Sequence, residues 1–244
     1  MRKLSLIIPC YNEERFIDQV IDKVEAVTLP PGWQKEIIIV DDCSTDGTRE
    51  RLSKYQDKYL VVLRDKNGGK GSAVKTGLLK VSGDFVLIQD ADLEYDPNDY
   101  RTLISALNEK RTTVFGSRLL KQNKCFNFIY LYGNRTMAMI FNILFGSHFT
   151  DITTCYKLFP RGAIPQLLNW KEDSFVYDAI YLTYELHKFS QNIAEVPISY
   201  SPRSRAEGKK VNWRHGAKAL IAMIKIKLGK DLAHDIAVAQ SSRI

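Results

Sequence analysis

Phe85-Val86-Leu87-Ile88-Gln89-Asp90-Ala91-Asp92-Leu93-Glu94 decides the fold of this chain. Four consecutive apolar residues read as a buried strand, and the polar run after them marks its end. Asp90 and Asp92 are one residue apart. Side chains alternate along extended backbone, so both carboxylates point the same way. No cation adjoins them in sequence. Two like charges so close are costly unless something cationic lies between them. A hard divalent ion held by one or two carboxylates together with phosphate oxygens meets that need. Solvated aspartates on a turn are the competing reading, since short motifs match by chance.

The segments upstream repeat the pattern. Leu4 to Pro9 reads as an apolar strand without signal-peptide character. Glu13 to Val27 has helical spacing, with Phe16, Val20, Val24 and Val27 on one side. Glu36 to Val40 is a second apolar strand and runs into Asp41-Asp42-Cys43-Ser44-Thr45-Asp46-Gly47-Thr48, which is rich in turn and cap residues. A helix over Thr48 to Tyr55, a strand over Leu60 to Leu63, and a helix opened by Asn67-Gly68-Gly69-Lys70-Gly71-Ser72 and running through Leu79 follow. Alternating apolar strands and amphipathic helices predict an α/β fold with a mostly parallel, Rossmann-like sheet flanked by helices on both faces. Ligands in such sheets bind beyond the carboxyl ends of the strands. Pro9-Tyr11-Glu13, Asp41-Asp42, Asn67-Lys70 and Asp90-Asp92 all fall there. Lys70 follows two glycines at a helix start, where backbone N–H groups favour anions. The P-loop spacing is absent. Lys70 reads equally as a donor-side cation or as a solvated lysine.

Together these residues resemble family 2 glycosyltransferases. The stretches are Ser5-Leu-Ile-Ile-Pro-Cys-Tyr-Asn-Glu-Glu14, Val40-Asp-Asp-Cys-Ser-Thr-Asp-Gly-Thr48, Asn67-Gly-Gly-Lys-Gly-Ser72 and Gln89-Asp-Ala-Asp-Leu-Glu94. More narrowly they are similar to the polyprenyl-phosphate (dolichyl-phosphate) mannosyl- and glucosyltransferases. The resemblance continues through Glu195-Val-Pro-Ile-Ser199, Arg203 and Glu207-Gly-Lys209. It implies a GT-A fold, a GDP- or UDP-sugar donor, a divalent cofactor (magnesium or manganese) and inversion at the anomeric carbon. It implies a catalytic domain over 1–210, with a nucleotide-sugar half at 1–98 and an acceptor half at 99–210, followed by a C-terminal helix and tail at 211–244.

The same resemblance assigns residues. Pro9, Tyr11, Glu13, Val40 and Asp42 line the base and ribose pocket, with Lys70, Asp90 and Ala91 beside the nucleotide. The Ser-Thr-Asp-Gly neighbours suit a turn residue, a role that falls to Asp41 while Asp42 binds nucleotide. The metal bridges the diphosphate to Asp92, with Asp90 and Glu94 as further direct or water-mediated ligands. Arg118 matches the family's phosphate-contacting arginine, and Arg135, Arg203 and Lys209 complete a cationic ring. Asp92 and Asp151 are the catalytic candidates. Asp151 is either a base, an orienter of Arg135 or Lys157, or a turn cap. Thr154-Cys155 and Lys157 depart from the usual family pattern. The Pro- and Gly-containing run Ser201 to Lys210 suits a lid carrying Arg203 and Lys209 over the donor.

Acceptor chemistry sets what catalyst is needed. A hydroxyl must lose a proton to a base. A phosphate monoester is already largely ionised near neutral pH, with a second pKa of about 6. The leading reading is transfer of one sugar to a polyprenyl phosphate on the cytosolic membrane face. A family 2 enzyme with a saccharide or protein hydroxyl acceptor is the second reading, and a non-catalytic nucleotide-sugar or lipid-binding module the third.

Composition is consistent. The chain has 244 residues, a net charge of +7 and four scattered cysteines without metal-ligand spacing, read as reduced thiols. The basic balance favours anionic partners; a phosphorylated acceptor and an anionic membrane surface fit the motifs, and nucleic acid does not. No apolar run is long enough to span a bilayer. Phe126 to Phe145 is dense in aromatic and aliphatic residues but broken by Asn134, Arg135 and Asn142. Trp213, Ala217, Leu220, Ile221, Ile224 and Leu228 form a helical stripe bordered by Arg214, Lys218 and Lys225. Such a helix either lies in a membrane interface or docks on its own domain.

Overall fold

The sheet is built from strands that carry apolar runs, among them Leu6-Ile7-Ile8, Ile37-Ile38-Ile39-Val40 and Phe85-Val86-Leu87-Ile88. In the computed structural model, which describes residues 1–123, 128–170, 176–190, 192–203 and 213–229, β1 is Arg2–Cys10, β2 Trp33–Asp41, β3 Leu60–Leu63 and β4 Phe85–Ile88. They are followed by β5 Thr113–Ser117, β6 Lys157–Pro160 and β7 Ile193–Pro197. Their order is β3-β2-β1-β4-β6-β5-β7. β1 pairs in parallel with β2 and β4, β2 with β3, and β5 with β7. β6 is antiparallel to both β4 and β5. Neither the reversed β6 nor β7 follows from the sequence pattern alone.

Alternation sorts the strand side chains into two cores. Ile7, Ile38, Val40, Val86, Ile88, Phe115 and Phe159 face one way; Leu6, Ile8, Ile37, Ile39, Leu87, Val114 and Leu158 face the other. Fully burying each such apolar side chain contributes roughly 1.5–3 kcal/mol, which is why the sheet requires cover on both faces. Helices α1 (Ile17–Ala26), α2 (Thr48–Ser53) and α4 (Tyr100–Ser105) supply residues to the second core. Helices α3 (Lys70–Leu78), α5 (Phe128–Phe145), α6 (Ile164–Leu167), α7 (Leu182–Phe189) and α8 (Trp213–Lys227) supply the first. A π-helical turn, Tyr177–Tyr181, leads into α7. Gly77 lets α3 lie close on β1: a Cβ there would sit 2.5 Å from Ile7 Cγ2.

The first helix begins later than its apolar spacing predicts. α1 starts at Ile17 because residues 13–16 form a turn in which the Phe16 and Ile17 N–H groups donate to Glu13 O, each at 2.9 Å. Its C-terminal carbonyls are gathered by Lys35, whose Nζ donates to Val24 O at 2.7 Å, Glu25 O at 2.5 Å and Val27 O at 2.6 Å. This satisfies orphan acceptors at a helix end.

α8 resolves into two faces. Ala219, Ala222, Met223 and Ile226 are buried in the first core. Ile221, Ile224 and Leu228, members of the stripe noted in sequence, are 54%, 46% and 60% exposed. α8 packs beside α5, and Lys227 Nζ donates to Leu144 O at 2.7 Å. On α5, Tyr132, Met139 and Ile143 are also largely exposed. Helix docking and an outward apolar stripe coexist, because the two use different sides of the helix. No described helix is long and apolar enough to cross a membrane.

Candidate functional site

All described strands except β6 point the same way, so their carboxyl ends share one rim. β6 runs against them, so its beginning also lies on that rim. This topology collects the residues after β1, β2, β4, β5 and β7 and the segment entering β6. Three described non-glycine residues have left-handed backbone: Asn12 at φ 54°, Cys43 at φ 63° and Leu93 at φ 60°. Each lies just after β1, β2 or β4. A leucine is rarely held this way, and such strain concentrates at functional loops.

The acidic pair after β4 is anchored from below. Gln89 is buried, and its Oε1 accepts from Tyr100 and Tyr156 hydroxyls, each at 2.6 Å. Asp90 Oδ1 lies 2.6 Å from Lys70 Nζ. Asp92 is 19% exposed, with Oδ2 3.3 Å from Arg203 Nη2. Burial, then the charges of Asp90 and Glu94, push the Asp92 carboxyl up to about 7 despite that guanidinium. Oxygen donors whose mutual repulsion is this costly suit a divalent cation. Among the described residues no three His, Cys, Asp or Glu side chains converge on one point. Asp90 and Asp92 therefore fit the mode in which one or two carboxylates share an ion with substrate phosphates. Glu94 is otherwise engaged: Oε2 accepts from the Tyr200 hydroxyl at 2.6 Å and Oε1 from Arg203 N at 2.8 Å.

Arg203 joins three rim segments. Its Nη1 donates to Glu13 Oε2 at 3.0 Å and its Nη2 to Glu13 Oε1 at 3.3 Å, while its backbone is held by Glu94. Its guanidinium also lies 5.1 Å from the Phe16 ring centre. Arg118, just after β5, is buried against Asp151: Nε donates to Oδ2 at 2.7 Å and Nη2 to Oδ1 at 2.8 Å. Its Nη2 also donates to Thr153 Oγ1 at 2.6 Å. Burial alone would raise the Asp151 carboxyl, but the Arg118 charge and hydrogen bonds hold it below the usual carboxylate range.

Several expectations are corrected by this geometry. Asp151 does not stand free as a base, and it orients Arg118 rather than Arg135 or Lys157. Asp42 is not open to a nucleotide: its oxygens accept from Gly69 N at 2.7 Å and Gly68 N at 3.1 Å and pair with Arg64. It clamps the loop that presents Lys70. Asp41 accepts from Ser44 N at 3.1 Å, the turn role expected of it. Val40 is a fully buried core residue, not a pocket wall. Pro9 and Ala91 are buried beneath the rim, while Tyr11 is exposed on it. Arg135 is exposed on α5. The cationic ring is thus not a set of bare charges, since Arg118 and Arg203 each grip a carboxylate. Lys209 and the rest of the proposed lid beyond Arg203 lie outside the described residues, as does Cys125. Tyr200 and Asp178 were missed from sequence. An aspartate inside Phe175-Val-Tyr-Asp-Ala-Ile-Tyr181 was the available signal, because a charge in an apolar run needs a partner.

The profile of glycosyl transferase family 2 matches residues 5–168. Dolichyl-phosphate beta-glucosyltransferase of Saccharomyces cerevisiae is 29% identical over 94% of this chain and 72% of its own length. Undecaprenyl-phosphate 4-deoxy-4-formamido-L-arabinose transferase of Klebsiella pneumoniae is 25% identical over 86% of this chain and 63% of its own. The chain thus spans rather less than two thirds of that second relative. Glucosyl-3-phosphoglycerate synthase of Mycobacterium tuberculosis, solved with Mn2+, UDP and glucosyl-3-phosphoglycerate, superposes with a TM-score of 0.70 over 93% of this chain and 80% of its own, at 20% identity. That likeness establishes the GT-A fold.

Proposed function

This chain belongs to glycosyl transferase family 2, and from that premise we propose that it transfers one sugar, with inversion, from a GDP- or UDP-sugar to a polyprenyl phosphate. The two sequence relatives named above are both polyprenyl-phosphate sugar transferases. The observation that carries the acceptor class is the Arg118–Asp151 pair. The rim carboxylate best placed in sequence to be a base is fully buried and committed to a guanidinium. A phosphate acceptor needs no base, because its oxygen is already ionised. A hydroxyl acceptor would need one.

In this reading 1–98 binds the donor and 99–210 serves the acceptor. Tyr11 and Glu13 border the nucleotide, with Asp42 acting through the loop it clamps. Asp90 and Asp92 would hold a divalent cation, magnesium or manganese, which when bound stabilises charge on the departing nucleoside diphosphate. Lys70 and Arg203 place further positive charge at the same rim. Arg118, preoriented by Asp151, faces the acceptor phosphate; an arginine fork suits phosphate oxygens. The acceptor oxygen forms a bond to the anomeric carbon as the bond from that carbon to the diphosphate oxygen breaks.

A lipid phosphate sits at a bilayer surface, so the rim must reach that plane. The outward faces of α5 and α8 suit this. Neither helix contains an acidic residue, and Lys218, Lys225 and Lys227 lie among the exposed apolar side chains. We assign this face to an anionic membrane surface, the chain being peripheral on the cytosolic side. A screen of GDP- and UDP-sugars with a polyprenyl phosphate, following sugar into an organic-extractable product, tests the function. Transfer confined to water-soluble hydroxyl acceptors would overturn it.

A further inference from the structure

Asp178 is a buried carboxylate with no task in the reaction proposed above. It lies on the π-helical turn Tyr177–Tyr181 and is 1% exposed. Turns of this kind occur often at functional sites. Its Oδ2 accepts from Lys70 Nζ at 2.7 Å. Its other oxygen, Oδ1, has no hydrogen-bond partner among the described residues and lies 3.9 Å from Lys157 Nζ. Lys157 is fully buried and donates to Asp178 O at 3.1 Å and to Thr154 O. The Lys70 ammonium thus sits between a buried aspartate behind it and the rim aspartate, Asp90, at 2.6 Å in front.

The two contacts differ in what happens when a ligand arrives. A divalent ion held by Asp90 would repel the ammonium beside it. Lysine has a flexible four-carbon stem, and the Lys70 side chain is 21% exposed, so it has a route into solvent. Asp178 has no such route. It is fixed by the turn and enclosed by the core, and its negative charge is not offered to the ion.

We propose that Asp178 is a positioning residue for Lys70: it holds the ammonium at the rim from the buried side, so that this cation still faces the donor diphosphate after Asp90 has been taken up by a metal ion. The proposal rests on the donor site described above. The lysine at the start of α3 is then not a solvated helix-start residue. Its place is set by an element far away in sequence.

The test is calorimetric titration of the full chain with UDP and with GDP, each in the presence of MnCl2. Asp178→Asn alone would leave the buried Lys157 charge less balanced, so it is combined with Lys157→Met. Lys157→Met alone should bind as the wild type does. Lys70→Met and the Asp178→Asn/Lys157→Met pair should each weaken nucleotide binding about tenfold, the scale of one lost charge-assisted hydrogen bond. The triple variant should be no weaker than either, because both changes remove the same interaction. Wild-type affinity in the Asp178→Asn/Lys157→Met pair, losses that multiply in the triple variant, or an equal loss in Lys157→Met alone would each overturn the assignment. A wild type that binds neither nucleotide would instead overturn the donor site itself.

Discussion

Arg203 Nη2 lies 3.3 Å from Asp92 Oδ2, while the same guanidinium forks onto Glu13. One arginine therefore ties the segment after β7 to the segments after β1 and β4. It also stands where a metal ion would compete for Asp92. Arg203→Met should raise Mn2+ affinity in the absence of nucleotide, because Asp92 loses a rival cation. Sugar transfer should fall about tenfold or more, since the cation proposed to serve the diphosphate is also lost. Weaker Mn2+ binding in the variant would contradict this account.

Asp151 and Arg118 should behave as one unit. Asp151→Asn leaves a buried guanidinium without its counter-charge, which costs roughly 3–5 kcal/mol. Chemical denaturation would measure the loss. The sign with pH also follows. The folded Asp151 carboxyl is held low, so its stabilisation is present above the ordinary carboxylate range and fades as pH falls through the lowered value. Asp151→Asn should flatten that acid limb. An unchanged acid limb would place the limb in other groups.

Gln89 should matter to the site without touching substrate. Its Oε1 receives two buried tyrosine hydroxyls. Gln89→Leu leaves both donors unmatched, at roughly 1–3 kcal/mol for each orphaned group. The expected outcome is a lower melting temperature together with weakened Mn2+ binding at the adjacent Asp90-Ala-Asp92. Unaltered melting and metal binding would show that the tyrosines find other acceptors.

The outer face of α8 should act only with lipid. Lys218→Glu/Lys225→Glu should reduce liposome binding and transfer to a long-chain acceptor together. Each exposed lysine contributes about 1 kcal/mol near an anionic surface, and salt should weaken the wild type correspondingly. Transfer to a short, water-soluble acceptor phosphate should change little. Equal liposome binding by variant and wild type would remove the membrane role from this helix.

Strand and helix alternation was legible because apolar runs and turn residues are local signals. The rim positions of Asp90, Asp92 and Lys70 followed from strand ends alone. What was not legible depends on which side chains meet from distant segments. Nothing near Asp42 in sequence reveals that Gly68 and Gly69 N–H groups take its oxygens. Nothing near Asp151 reveals Arg118. β6 is short, and only pairing with β4 and β5 shows that it runs backwards. The stripe on α8 was visible, but its outward orientation was not, because Ala219, Ala222, Met223 and Ile226 offer the core a second apolar side.

In the proposed reaction the acceptor attacks through an oxygen already ionised, with no protein base. The most direct measurement compares sugar transfer to a polyprenyl phosphate with transfer to the corresponding polyprenol, using the same donor and metal ion. The expected result is an organic-extractable product from the phosphate, none from the alcohol, and loss of the product in excess chelator. Comparable transfer to the alcohol would contradict it.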